Sequence, residues 1–206
     1  MTVAGEEADV SPQTLESWKE RSKELIKGWK PENDWNMDET GCFWKGIPDV
    51  SLSEKGKRCS GGKQSKKRNT WAFFVNAAGG KEDLLIIGHA VQPRCFKHLN
   101  DRKRPYGCYY FSSKKAWMTN DIMDNILSSL NQRLQRRQRN ILLFLNNAPC
   151  HSTNLEGKFS NNTLKFLPKN TTSKTQRLDS GIIASWKCKY KKAPFTSCLQ
   201  QSQWIQ

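Results

Sequence analysis

Residues 141–145 read Ile-Leu-Leu-Phe-Leu, an apolar run bounded by Arg139-Asn140 before it and Asn146-Asn147-Ala148-Pro149 after it. Five residues are too few for a helix, and a strand that is apolar on both sides needs cover on both sides. The run therefore reads as an interior strand of a layered sheet. Upstream, Ile122, Met123, Ile126, Leu127, Leu130 and Leu134 recur at helical spacing behind Thr119, whose hydroxyl suits an N-cap. Arg133, Arg136, Arg137 and Arg139 crowd the exit of that helix, where cations complement the helix dipole or meet a phosphate. Downstream, Leu164–Leu167 reads as a short strand stopped by Pro168. A last helix starting near Asp179 carries Ile182, Ile183, Trp186 and Tyr190 on one side.

The first half of the chain completes the layers. Ser11-Pro12 is a cap and first-turn proline for a helix in which Leu15, Trp18, Leu25, Ile26 and Trp29 share a face, and Gly28 closes it. Residues 35–41 have strand character and contain Asp38. Residues 71–77 and 84–91 form a hairpin across Ala78-Gly79-Gly80, with His89 inside its apolar second strand, while 92–111 show no period. The order predicts an α/β fold, a mixed sheet of about five strands flanked by helices. In that arrangement Asp38 ends one central strand, position 146 ends its neighbour, and Asp179 approaches from the sheet face. Converging carboxylates of this kind are what a pair of divalent cations needs in phosphoryl transfer.

The chain has 206 residues and a formal charge of +15, unevenly spread. Residues 1–40 hold ten acids and five bases, so the remainder carries a surplus of +20. A load of that size points to a polyanion partner, nucleic acid. Lys55, Lys57, Arg58, Lys63, Lys66, Lys67 and Arg68 fall in one glycine-containing loop, which reads as a phosphate-binding or nuclear-import segment. Arg136, Arg137, Lys187 and Lys191 extend the basic surface. Trp44 and Trp71 flank the loop and read as core residues rather than base-stacking ones. No apolar run reaches the roughly 18 residues of a membrane span, and the acidic first thirty residues exclude a secretory signal. Seven cysteines without a CxxC pair argue against a disulfide framework. Cys95, His98 and Cys108, or Cys150 with His151, are too poorly spaced for a zinc site or a thiol nucleophile.

Six segments occur in a telling order: Asn36-Met37-Asp38-Glu39-Thr40-Gly41, Pro93–Lys97, Lys114–Thr119, Asn146-Asn147-Ala148-Pro149-Cys150-His151, Phe166–Ser173 and Leu178-Asp179-Ser180-Gly181-Ile182-Ile183. Together they resemble the catalytic domain of Tigger/pogo transposase-derived proteins, which are DDE superfamily endonucleases related to centromere protein B. The resemblance implies a ribonuclease-H-like fold, metal-dependent DNA strand cleavage, nuclear residence and action as a homo-oligomer. It implies neither a small-molecule substrate nor a membrane. It divides the chain into an acidic helical arm (1–34), the DDE-type domain (35–192) and an irregular tail (193–206).

The family's three acids lie in MDET, DNAP and LDQGII-like segments. Here they correspond to Asp38, Asn146 and Asp179, so the middle carboxylate is an amide. Gln176-Arg177 also stands where the family has Gln-Pro, and Ser180 where it has Gln. The upstream helix-turn-helix modules are not represented, so the expectation is a truncated form of the domain. An amide oxygen is neutral and cannot bridge two cations as a carboxylate does. Asn147 and Glu39 alternate to the opposite face and do not replace it. The expected protein is a nuclear DNA-binding relative of a transposase with a degenerate triad. Asp38 and Asp179 remain as weak metal ligands, and Mg²⁺ or Mn²⁺ is needed only for a residual endonuclease. The alternatives are that residual endonuclease or a non-enzymatic interaction remnant. DNA binding itself should require no cofactor.

Overall fold

The computed structural model describes residues 12–43, 67–97, 108–148, 155–168 and 178–190. Its elements, in chain order, are α1 (Pro12–Ile26), β1 (Asp34–Cys42), β2 (Asn69–Asn76), β3 (Leu85–Gly88), β4 (Tyr109–Ser112), α2 (Asn120–Arg136), β5 (Ile141–Leu145) and β6 (Asn162–Phe166). A π-helical turn, Leu178–Ile182, then leads into α3, residues 183–190. The strands form one mixed sheet in the order β4-β3-β2-β1-β5-β6. β1 runs antiparallel to β2 and parallel to β5, while the outer pairs β3–β4 and β5–β6 are parallel. Mixed pairing of this kind needs helical crossovers on the faces, and α2 supplies the one leading into β5.

β5 is buried along its whole length, as an interior strand must be. Its alternate residues feed two different cores. Ile141, Leu143 and Leu145 join Trp35, Met37, Ala72, Phe74, Leu85, Ile87 and the apolar stripe of α2. Leu142 and Phe144 face the other way, where Trp18 and Leu167 close over them and Leu25, Ile26 and Trp29 pack at the margin. Trp18 meets Phe144 edge-on, with ring centroids 6.3 Å apart, so α1 is docked onto the sheet. α2 buries all six of its apolar positions, and Thr119 caps it by accepting the Ile122 N–H at 3.3 Å.

Three expectations are corrected. The sheet has six strands, because β4 lies within residues 92–111, which lack a sequence period. β3 stops at Gly88, so His89 is exposed rather than internal, its ring nitrogen 2.9 Å from the Lys114 carbonyl oxygen. Ile182 is 45% exposed and leaves the face formed by Ile183, Trp186 and Tyr190. The π turn winds more than 3.6 residues into one turn and so rotates the helix behind it out of phase.

Candidate functional site

The second face of the sheet carries the polar residues. On β1 the odd positions Trp35 and Met37 enter the α2 core, so Asn36, Asp38 and Thr40 point to the face shared by α1 and α3. All three are buried, Asp38 at 4% exposure. Asn36 is fastened there by donating from Nδ2 to the Phe144 carbonyl at 3.2 Å. Burying an amide and a carboxylate in the middle of a sheet is costly unless they are satisfied or used.

Pairing of β1 with β5 runs Asp34↔Leu142, Trp35↔Leu143 and Asn36↔Phe144. The paired stretch ends there, and Asn146 follows Phe144 on its strand by two residues as Asp38 follows Asn36 on β1. Leu142 and Phe144 share a face, and alternation gives Asn146 that face too. Asn147, one step further, is exposed. On its other side Asp38 is paired with Phe73 of β2.

α3 roofs this region. Trp186 packs on Trp71 (4.3 Å between centroids) and Phe73 (5.2 Å), and Tyr190 stacks on Trp186 at 5.2 Å. Trp71 is therefore part of an aromatic packing cluster, in keeping with its reading as a core residue. The π turn that contains Asp179 lies against β1. β1, which bears Asp38, is thus flanked by β5, which ends just before Asn146, and touched by the turn that contains Asp179. Beneath Tyr190 sits Cys42. Burial pushes the Cys42 thiol up, against smaller opposing effects of the Tyr190 hydroxyl and the Lys187 charge. The Tyr190 hydroxyl is pushed up to about 12, mainly by burial and then by Cys42. Both groups are neutral at physiological pH.

The predicted basic residues do not form one patch. Arg68 lies against Trp117, just ahead of α2, with its guanidinium carbon 4.8 Å from the ring centroid. Arg136 and Arg137 stand exposed at the other end of that 17-residue helix, about 25 Å away. Two neighbouring arginines are structural. Arg133 pairs with Glu82 at 2.9 Å and donates to the Tyr109 hydroxyl at 2.8 Å. Arg139 holds Asn33 Oδ1 and the Glu32 carbonyl. Lys67 is exposed, and Lys187 lies partly covered beside Cys42. Lys55, Lys57, Arg58, Lys63, Lys66 and Lys191 fall outside the described residues, as do Trp44, His98, Cys150, His151 and the tail from 193. Cys95 and Cys108 are free thiols.

The pattern of the DDE superfamily endonucleases matches residues 66–206, more than half of the chain. The chain belongs to this family. As a DDE-domain protein of transposase origin, it is related to Tigger and CENP-B homologue proteins. It is 32% identical to the mouse Tigger transposable element-derived protein 4 over 169 residues, which are 81% of this chain and 31% of that protein. It is 31% identical to CENP-B homolog protein 2 of Schizosaccharomyces pombe over 199 residues, 93% of this chain and 38% of the relative. The DDE chain therefore spans about a third of the length of the curated relatives it matches. Its backbone superposes on the Mos1 transposase paired-end complex with left transposon end at a TM-score of 0.55 and 13% identity, covering 91% of this chain and 52% of that one. The fold is ribonuclease-H-like, as expected. Asn146 and Asp179 lie inside the matched stretch, and Asp38 lies ahead of it.

No helix among the described residues is long and apolar enough to cross a membrane. What sequence reasoning missed here is Asn36, whose amide ties β1 to β5 one turn of the pleat before Asp38. The alternation of Asp34, Asn36, Asp38 and Thr40 with Trp35 and Met37 along β1 was the available signal.

Proposed function

We propose that this chain is a nuclear DNA-binding protein derived from a transposase, in which residues 35–192 keep the DDE scaffold without its cutting chemistry. The observation that supports the reading is the pairing of β1 with β5, which brings the strand bearing the buried Asp38 beside the strand that leads into the neutral Asn146. Two divalent cations would bring up to four positive charges to a donor set of two carboxylates, Asp38 and Asp179, and one amide. Among the described residues no cluster of three or more His, Cys, Asp or Glu is present to make up the difference. This donor set does not fit a metal pair, and no step is derived through one.

DNA binding draws support from the +15 charge and from the left transposon end held by the Mos1 transposase, whose fold this chain shares. Binding rests on phosphate contacts, needs no metal and no small molecule, and is compatible with a homo-oligomer. With about four phosphates neutralised, duplex affinity should fall on the order of a hundredfold between ~50 and ~200 mM salt. A flat titration over that range would defeat the DNA reading.

A residual Mg²⁺- or Mn²⁺-dependent endonuclease is the second reading, favoured by the packing of the Asp179 turn against β1. Plasmid nicking separates the two. The unaltered chain should not nick above background with either cation, and Asn146→Asp should raise nicking. Cleavage by the unaltered chain that disappears in Asp38→Ala would establish the second reading in place of the first.

A further inference from the structure

Trp117 is 52% exposed, one of two large aromatic rings among the described residues left so open, and its setting is built rather than incidental. The turn before it is rigid. Ala116 donates its N–H to the Ser113 carbonyl at 3.0 Å, while the Ser113 hydroxyl accepts the Trp117 N–H at 2.9 Å and donates to the Trp117 carbonyl at 2.8 Å. Ala116 itself is fully buried with φ of 53°, a left-handed conformation that an alanine adopts only when its surroundings impose it. Thr70 imposes it in part, by donating its hydroxyl to the Ala116 carbonyl at 2.7 Å. Met118 is buried and Thr119 caps α2, so the backbone on the far side is fixed as well. The strained turn holds an indole out to solvent at a conformational cost.

Cations surround that indole. The Arg68 guanidinium carbon stands 4.8 Å from the ring centroid and the Lys115 ammonium 5.8 Å. Arg68 is seated by Gly41 of β1, where an added Cβ would come within 3.3 Å of a guanidinium nitrogen. Two positive charges at the ring exclude a cationic ligand, which an aromatic surface otherwise attracts. The complementary partner is a flat ring joined to an anion. A nucleotide is such a partner, and only an unpaired base exposes its face for stacking. Gly41 lies three residues along β1 from Asp38, about 10 Å of strand and on the opposite face of the sheet, so this platform is a place separate from Asp38.

We propose that Trp117, flanked by Arg68 and Lys115, is a stacking platform for an unpaired DNA base, with the two cations taking the adjacent phosphates. The proposal rests on the DNA-binding reading above and narrows it to single-stranded or opened DNA.

The test compares a fluorescent oligothymidylate with a blunt duplex of the same length, using the full chain and its Trp117→Ala and Trp117→Phe variants, with far-ultraviolet circular dichroism to check folding. Trp117→Ala should weaken oligothymidylate binding on the order of tenfold and leave duplex binding within about twofold. Trp117→Phe, which keeps a smaller ring, should recover most of the loss. Equal loss on both probes, or no loss on the oligothymidylate while the duplex still binds, overturns the platform and leaves the DNA reading standing. Failure of the unaltered chain to bind either probe overturns both.

Discussion

The two faces of the sheet are built from the same strands and differ in kind. Toward α2 the contributions from β1, β2, β3 and β5 are mainly apolar, from Trp35 and Met37 to Leu143 and Leu145, and the buried Thr70 hydroxyl there is satisfied by the Ala116 carbonyl. Toward α1 and α3, the apolar cover divides into two groups, Trp18 with Phe144 at one side and Trp71, Phe73, Trp186 and Tyr190 at the other. Between them β1 presents Asn36, Asp38 and Thr40. Because side chains alternate along a strand, one segment can anchor a dry core with one set of residues and hold polar groups in place with the other. The first face makes the fold stable. The second gives up some of that stability.

The contrast can be broken most severely on the α2 face. Leu127 is fully buried in that core, and Leu127→Ala should cost about 2–5 kcal/mol, read as a lower urea midpoint at unchanged slope. A loss below roughly 1 kcal/mol would mean that this face is less tightly packed than its burial implies. The opposite sign is expected across the sheet. On the proposed reading Asp38 is a remnant of a metal site rather than a structural group, and Asp38→Asn should raise stability by up to about 1 kcal/mol in the same titration. A large loss instead would make Asp38 a structural residue.

The smallest effect sharpens the α3 side. Tyr190 has its folded-state value raised from 10.0 to about 12, so its contribution to stability is intact below pH 10 and is lost as the pH climbs toward 12. Following tyrosinate absorbance, Tyr110 and Tyr190 should both ionise above the ordinary range, and Tyr190→Phe should remove the latest component.

What could be read from the sequence tracks the physics of each element. α2 was fully legible because its six apolar residues obey a single period and its cap is local. β5 was legible because five consecutive apolar residues between polar flanks fit an interior strand and little else. β4 was not: Tyr109-Tyr110-Phe111-Ser112 is a four-residue edge strand, half-buried throughout, paired in parallel to β3 with no adjoining turn to announce it. The partners of Arg133 were equally hidden, because Glu82 and Tyr109 arrive from distant parts of the chain. At the site, the neighbouring of the strand that bears Asp38 with β5 followed from strand order. The neighbourhood of Trp117 did not, because a left-handed alanine has no compositional mark.

The widened turn at Leu178–Ile182 has an evolutionary side. A helix that opens with slack can shed or gain a residue there by rewinding, a change that would swing Trp186 by about 100° from its seat on Trp71. Length changes in the stretch before it can be absorbed at this point or passed on as rotation, so the head of α3 is a place where a lineage can re-aim the face it lays on the sheet without rebuilding the strands.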